Sequence, residues 1–319
     1  MTPATSGAGL PAPYPSVGAY VRFPPRWRTV LVPARAAEAT ALGMTLYPAS
    51  KPLPLLAQRL LWAAARASGG RALLGARETW TPPMPRAEFA ALWEQWCHLA
   101  GETVDGLAFY QRLQASRAAL TVLLCAGNRS MLIRVRRDAA SLRLEREISE
   151  AARAARTRTF HVPVLAGSGQ AGPWSWTAYA AFAQRPHAPA RTAGRELTDE
   201  ITELVESVLS RPVGVPAHWR GSHGDLTPWN LRRSAGTTWL IDWEDTCWAP
   251  PGADQVYFTT VRAALRRGAV VRLPWATELQ EAAQYWAERV SGRSIVRAEH
   301  SLQRRLETLL GCTGSVQPG

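Results

Sequence analysis

The feature that most constrains this chain is the string His223-Gly224-Asp225-Leu226-Thr227-Pro228-Trp229-Asn230, followed after a short gap by Ile241-Asp242-Trp243-Glu244. The spacing of Asp225 and Asn230 suits one tight loop that aims a carboxylate at one partner and turns an amide oxygen toward another. Between the two strings, residues Leu231 to Ile241 read as strand, Ser/Gly turn and strand, a hairpin that folds Asp242 back beside the loop. One carboxylate beside an acceptor hydroxyl and two hard oxygen ligands for magnesium are what phosphoryl transfer from a nucleoside triphosphate requires. Asn and Asp suit magnesium where His or Cys would not.

At these residues the chain resembles the aminoglycoside phosphotransferase and choline kinase family, the small-molecule branch of the protein-kinase-like fold. The family pattern of H-G-D, then N, a short hairpin and I-D-W-E is matched at every polar position, and Pro250, Pro251 and Asp254 fit the Pro and Asp that follow it. Thr227 stands where protein kinases usually carry Lys, which favours the small-molecule branch. The resemblance implies an α+β, two-lobed fold: a small antiparallel-sheet lobe with one helix and a larger, mainly helical lobe. It implies Asp225 as catalytic base, Asn230 and Asp242 as Mg²⁺ ligands, and ATP as phosphoryl donor with GTP as the alternative. His223 is expected to brace the loop rather than transfer protons, and Asp254 to be structural. Glu244 and Asp245 are open to attracting a cationic acceptor, a water-mediated metal contact, or a plain surface role.

Composition sets outer bounds. A chain of 319 residues with 46% hydrophobic content can bury one large or two moderate cores and is too apolar for general disorder. The longest apolar run, Leu53 to Ala67, is broken by Gln58 and Arg59, so no membrane span is expected. The first twenty residues lack a basic start and an apolar core, which leaves a cytoplasmic location as the expectation. Cys97, Cys125, Cys247 and Cys312 form no C-x-x-C pair and read as reduced thiols. The net charge of +12 comes from arginines scattered along the chain, with Lys51 the only lysine; this pattern does not mark a nucleic-acid partner.

Along the chain, residues 1–16 read as a disordered tail, 17–106 as an N-terminal α/β extension outside the resemblance, 107–183 as the small lobe and 184–319 as the large lobe. The extension contains a strand ending at Pro33 and helices over Leu53–Arg66 and Arg86–Ala100. In the small lobe, Leu107–Leu113, Ala119–Ala126 and Ser130–Arg137 are strand-like, and Gly127-Asn128 suits the turn between the last two. Val162–Ala166 and Trp174–Phe182 read as its remaining strands. In Ser130–Arg137, Met131, Ile133 and Val135 share one face while Leu132, Arg134 and Arg136 share the other.

By the resemblance, Arg134 holds the nucleotide phosphates, with Arg136 as the alternative. Glu147, beside the apolar stripe of Leu144, Ile148, Ala151 and Ala155, is its expected acidic partner. Ser116, in a glycine-free loop, is the expected phosphate contact, and the backbone of Ala181 and Ala183 is the expected adenine hinge. Trp229, Trp243 and Trp248 are candidates to flank an acceptor pocket, with plain packing the commoner role of such rings.

The expected function is ATP- and Mg-dependent phosphoryl transfer to a hydroxyl of a small molecule such as an aminoglycoside, sugar or amino alcohol. The alternative is a catalytically silent kinase-like module that binds a nucleotide or partner. Neither the acceptor nor the oligomeric state follows from the sequence.

Overall fold

Side chains that alternate with a period of two build the first half of the chain into a sheet with two apolar faces. In the computed structural model the described residues are 19–24, 30–73, 77–101, 103–110, 119–266, 273–292 and 300–311. The expected tail of residues 1–16 and the loop holding Ser116 lie outside them. The sheet contains β1 (Ala19–Phe23), β2 (Val30–Pro33), β3 (Arg77–Thr79), β4 (Val104–Tyr110), β5 (Ala119–Ala126), β6 (Arg129–Arg136), β7 (Leu165–Ala171) and β8 (Trp174–Ala180). Their order is β3-β1-β2-β4-β5-β6-β8-β7, antiparallel at every pairing.

Tyr20, Leu31, Phe109, Val122 and Ile133 form one face, packed with Phe89, Leu92, Trp93 and Trp96 of helix α3 (Arg86–Ala100). Trp80 stacks on Phe109 there, with ring centroids 3.7 Å apart. Val21, Val32, Ala108 and Leu123 form the opposite face, covered by α1 (Ala37–Met44) and α2 (Pro52–Ser68). A Cβ on Gly43 would lie 2.5 Å from that of Ala108, so α1 seats closer to β4 than any side chain would permit. Helix α1 was not legible as a helix in the sequence. It is short, and six of its eight residues are buried, so no polar stripe marks it.

The boundary expected between 106 and 107 falls inside β4, whose residues pair with both β2 and β5. The N-terminal strands therefore continue the small-lobe sheet instead of forming a unit beside it. Pairing of β2 with β4 satisfies backbone groups that would otherwise face solvent along an open edge.

Helix α4 (Ala139–Ala155) packs on β6 and β8, with Asp138 as its N-cap accepting from the Ala140 amide at 2.9 Å. Past residue 180 the chain crosses to the second lobe. There β9 (Ala188–Pro189), β11 (Leu231–Ser234) and β12 (Thr237–Leu240) make one small sheet, and β10 (Arg220–Ser222) and β13 (Cys247–Ala249) make another. The helices of this lobe are α5 (Arg195–Val208), α6 (Ala253–Leu265), α7 (Gln280–Ser291) and α8 (His300–Leu310). Ile201, Leu226, Leu231, Leu240 and Trp243 share one apolar core, and Val256, Tyr257, Trp286 and Leu309 share another.

The turn between β11 and β12 carries Ala235 at φ 50° and Gly236 at φ 86°, a pair of left-handed residues that matches strand twist. A sheet lobe carrying a helix, joined to a mainly helical lobe that holds the Asp225 loop and the hairpin after it, is the expected kinase-like architecture. Among the described residues no helix is long and apolar enough to cross a membrane.

Candidate active site

The loop between β10 and β11 is fixed first at its base. Asp254, buried in the first turn of α6, accepts hydrogen bonds from Ser222 Oγ at 2.9 Å, the His223 amide at 2.8 Å and the Gly224 amide at 3.3 Å. Burial still pushes the Asp254 carboxyl above its ordinary value, against the pull of His223 and of these donors. Gly224 has φ +75°, and a Cβ there would lie 1.9 Å from the Asp245 carbonyl oxygen. No other residue fits.

His223 is fully buried and braces the same loop. Its Nδ1 accepts from the Asp225 amide at 3.3 Å, so Nε2 carries the proton and donates to the Ile241 carbonyl at 3.1 Å. Burial lowers its pKa, with Asp254 opposing, and the ring stays neutral against Trp243, centroids 4.6 Å apart.

Asp225 and Asn230 are brought together as their spacing suggested. The Asn230 amide nitrogen donates to Asp225 Oδ2 at 2.8 Å and to the Asp225 carbonyl at 2.9 Å. One carboxylate oxygen of Asp225 is thereby held in place, and Asn230 keeps its amide oxygen as a further acceptor. The Ile241 amide donates to the Asn230 carbonyl at 3.1 Å, which brings the end of the hairpin, and so Asp242, to the loop. Asp242 adopts φ 70°, a left-handed conformation that is uncommon for a residue with a side chain and is a recurrent mark of functional sites.

Arg134 reaches this point from β6. Its Nη2 lies 2.8 Å from Asp242 Oδ1 and 2.9 Å from Glu244 Oε2, while Nη1 binds Glu145. Arg136 binds Glu244 at 3.1 Å, so the residue expected as Arg134's alternative is its neighbour in one cluster. Two guanidinium groups thus face three carboxylates. Burial alone would weaken Arg134's hold on its proton; the three carboxylates outweigh that and keep it cationic. Burial also pushes the Glu145 carboxyl above its ordinary range, more than Arg134 pulls it down, as a surplus of negative charge in a dry site requires.

Glu147, the expected partner of Arg134, is exposed; Glu145 takes that place. Helix α4 turns Leu142, Glu145, Ile148, Ser149 and Ala152 inward. Leu144, taken as part of the stripe, is only partly buried, on the side facing the large-lobe core. Sequence reasoning also left the role of Glu244 open, and here it bridges both arginines. Its neighbour Asp242 was the available signal, since the short helical turn Trp243–Asp245 carries it back toward β6.

At the crossing between lobes, the Ala181 amide donates to the Ser130 carbonyl at 2.9 Å and is committed to the sheet. Ala183, two residues on, is buried. Trp243 is a core residue and Trp229 packs against the α6–α7 core, while Trp248 carries Arg211 over its ring at 4.0 Å. Packing accounts for the first two.

Among the described residues, no three His, Cys, Asp or Glu side chains form a metal-binding set. The donors present, one Asn oxygen and one Asp carboxylate, are hard oxygens that would fit magnesium better than a metal needing a full protein cage. Cys97, Cys125 and Cys247 are free thiols.

Comparison with known proteins follows the same residues. No curated protein matches the chain. Among solved structures, a spectinomycin phosphotransferase in complex with ADP and spectinomycin is 12% identical, covering 72% of this chain and 88% of its own, with a TM-score of 0.41. An aminoglycoside phosphotransferase, APH(4)-Ia, is 11% identical, covering 70% and 89% respectively, with a TM-score of 0.38. Nothing about this chain's acceptor follows from likeness at that level. The model of the phosphotransferase enzyme family matches residues 170–290, the stretch that holds Asp225, Asn230 and Asp242, and it is this family that the chain resembles.

Proposed function

We propose that the protein transfers the γ-phosphoryl group of ATP, with Mg²⁺, to a hydroxyl group of a small molecule. The observation that carries this reading is the meeting of Asp225, Asn230 and Asp242 at one end of the β11–β12 hairpin, with Arg134 arriving from the other lobe. Asp225, oriented by Asn230, accepts the proton of the acceptor hydroxyl as its oxygen bonds to the γ-phosphorus; the bond to the β–γ bridging oxygen breaks and ADP leaves. Asn230 and Asp242 are the residues that would hold magnesium, which when bound neutralises charge on the phosphates. Arg134 and Arg136 supply phosphate-binding guanidinium groups. The carbonyl of Ala181 and the backbone of Ala183, at the crossing between lobes, are the proposed groups that read the adenine edge, and Ser116 is the proposed phosphate contact. Hydroxylated aminoglycosides, sugars and amino alcohols are the acceptor classes to test.

Replacing Asp225 by Asn removes the base and keeps the shape. Initial rates of ADP release with Mg-ATP and a panel of such acceptors should fall by a factor of about 10²–10⁴. Equal rates for the two proteins would remove Asp225 from this role.

One observation favours a second reading, a catalytically silent nucleotide-binding module. Arg134 here bonds to Asp242 at 2.8 Å, so a metal ligand and the phosphate-binding fork occupy each other. That reading predicts nucleotide binding without turnover on any acceptor.

A further inference from the structure

Arg232, on β11, is fully buried, and its hydrogen bonds go to neutral acceptors in three separate parts of the chain. Nη1 donates to the Pro228 carbonyl at 2.9 Å, inside the Asp225–Asn230 loop. Nε donates to His187 Nδ1 at 2.6 Å and Nη2 to the His187 carbonyl at 2.5 Å, on the crossing between lobes. Nη2 also donates to the Ala49 carbonyl at 3.0 Å, in the segment that joins α1 to α2.

His187 extends the connection. Because its Nδ1 accepts, Nε2 carries the proton and donates to the Thr45 carbonyl at 3.1 Å. Gln58 of α2, itself buried, donates to the Met44 carbonyl at 2.7 Å and the Tyr47 carbonyl at 2.9 Å, and so holds the turn from which Thr45 and Ala49 reach inward.

Among the described residues no carboxylate pairs with this guanidinium; burying it so is costly, and an aliphatic side chain would fill the same volume without that cost. What the position uses is the planar fork, which can bind three backbone segments at fixed angles where a lysine offers a single point. Pro228 lies three residues after Asp225 and two before Asn230.

We propose that Arg232, with His187, is a positioning residue through which the α1–α2 layer sets the catalytic loop, so that the N-terminal region is part of the phosphotransfer apparatus. The proposal rests on the reading of the Asp225 loop given above.

The test uses the full chain and three variants, Gln58→Met, Arg232→Met and Arg232→Lys, with amide hydrogen exchange and steady-state rates measured on each. Gln58→Met touches neither the loop nor the crossing. It should speed exchange in 44–50 and also in 225–231, and lower kcat by roughly tenfold to a hundredfold while leaving the nucleotide KM nearly unchanged. Arg232→Met should do the same, and Arg232→Lys, which keeps charge without the fork, should recover only part of the loss. If Gln58→Met loosens 44–50 while exchange in 225–231 and kcat stay as in the wild type, the layer and the loop are uncoupled and the proposal fails. Should Gln58→Met not fold, Arg232→Lys decides: unchanged exchange in 44–50 overturns the coupling. Exchange needs no turnover, so a wild type that turns over no acceptor with Mg-ATP would sink the phosphotransfer reading alone, and uncoupled exchange would sink this one alone.

Discussion

Substituting Gly224 by alanine puts a methyl group 1.9 Å from the Asp245 carbonyl oxygen and 2.7 Å from its carbon, with Cys247 Sγ at 3.3 Å. The two nearest atoms are backbone, so no rotamer change relieves the contact. Ordinary contact begins at 3.4 Å, so the loop and the 245 peptide must separate by 1.5 Å. The φ of +75° adds strain of about 1–2 kcal/mol for any residue with a Cβ.

Asp225 is the next residue, and its carboxylate inherits the displacement. Since a misplacement of about 1 Å can cost a factor of about 10² in rate, turnover of Gly224→Ala should fall at least about a hundredfold, close to 3 kcal/mol in the barrier. Gly236→Ala is the matched control: φ is +86° and nothing lies within 4 Å of the added methyl. It should lose about 1–2 kcal/mol of stability and keep its rate. Both are read from ADP release with Mg-ATP and an accepted acceptor, alongside urea unfolding. If Gly224→Ala turns over as fast as Gly236→Ala, the close approach at Asp245 does not set the aim of Asp225.

Glu145→Ala takes a buried hydrogen-bond partner from Arg134, which keeps Asp242 and Glu244, and should cost about 1–2 kcal/mol in urea unfolding, whereas exposed Glu147→Ala should stay within about 0.5 kcal/mol. Equal costs would contradict the assignment of Glu145. His187 supplies a pH dependence: burial, aided by Arg232, lowers its pKa from 6.5 to about 3. The unfolded chain therefore binds that proton first, so the stabilisation is complete above 6.5 and is lost as pH falls toward 3. Stability should drop by about 2 kcal/mol between about pH 7.5 and about pH 5, and His187→Gln should flatten the profile by that amount. An unchanged slope in the variant would show that His187 is not held neutral.

The parts of the site that were legible in the sequence are those that local geometry fixes. Asp225 and Asn230 sit on one loop, and the strand-turn-strand after it can only return Asp242 to the same place. The turn at Gly127 and the shared face of Arg134 and Arg136 follow from turn chemistry and a period of two.

What the tertiary structure decided lies between elements. Glu145 and Glu147 sit roughly 200° apart around one helix, and which of them meets Arg134 depends on how α4 docks on β6, a rotation its sequence pattern left open. Glu244 joins the two arginines, β2 joins β4 in one sheet, and Arg232 binds Ala49 and Pro228 across long stretches of chain. Sequence alone determined which polar groups meet on the loop, because short-range spacing sets what one loop can present. The folded chain determined the partners of each charge, because a buried ion takes whatever acceptor packing brings within 3 Å or so, however far away it was made.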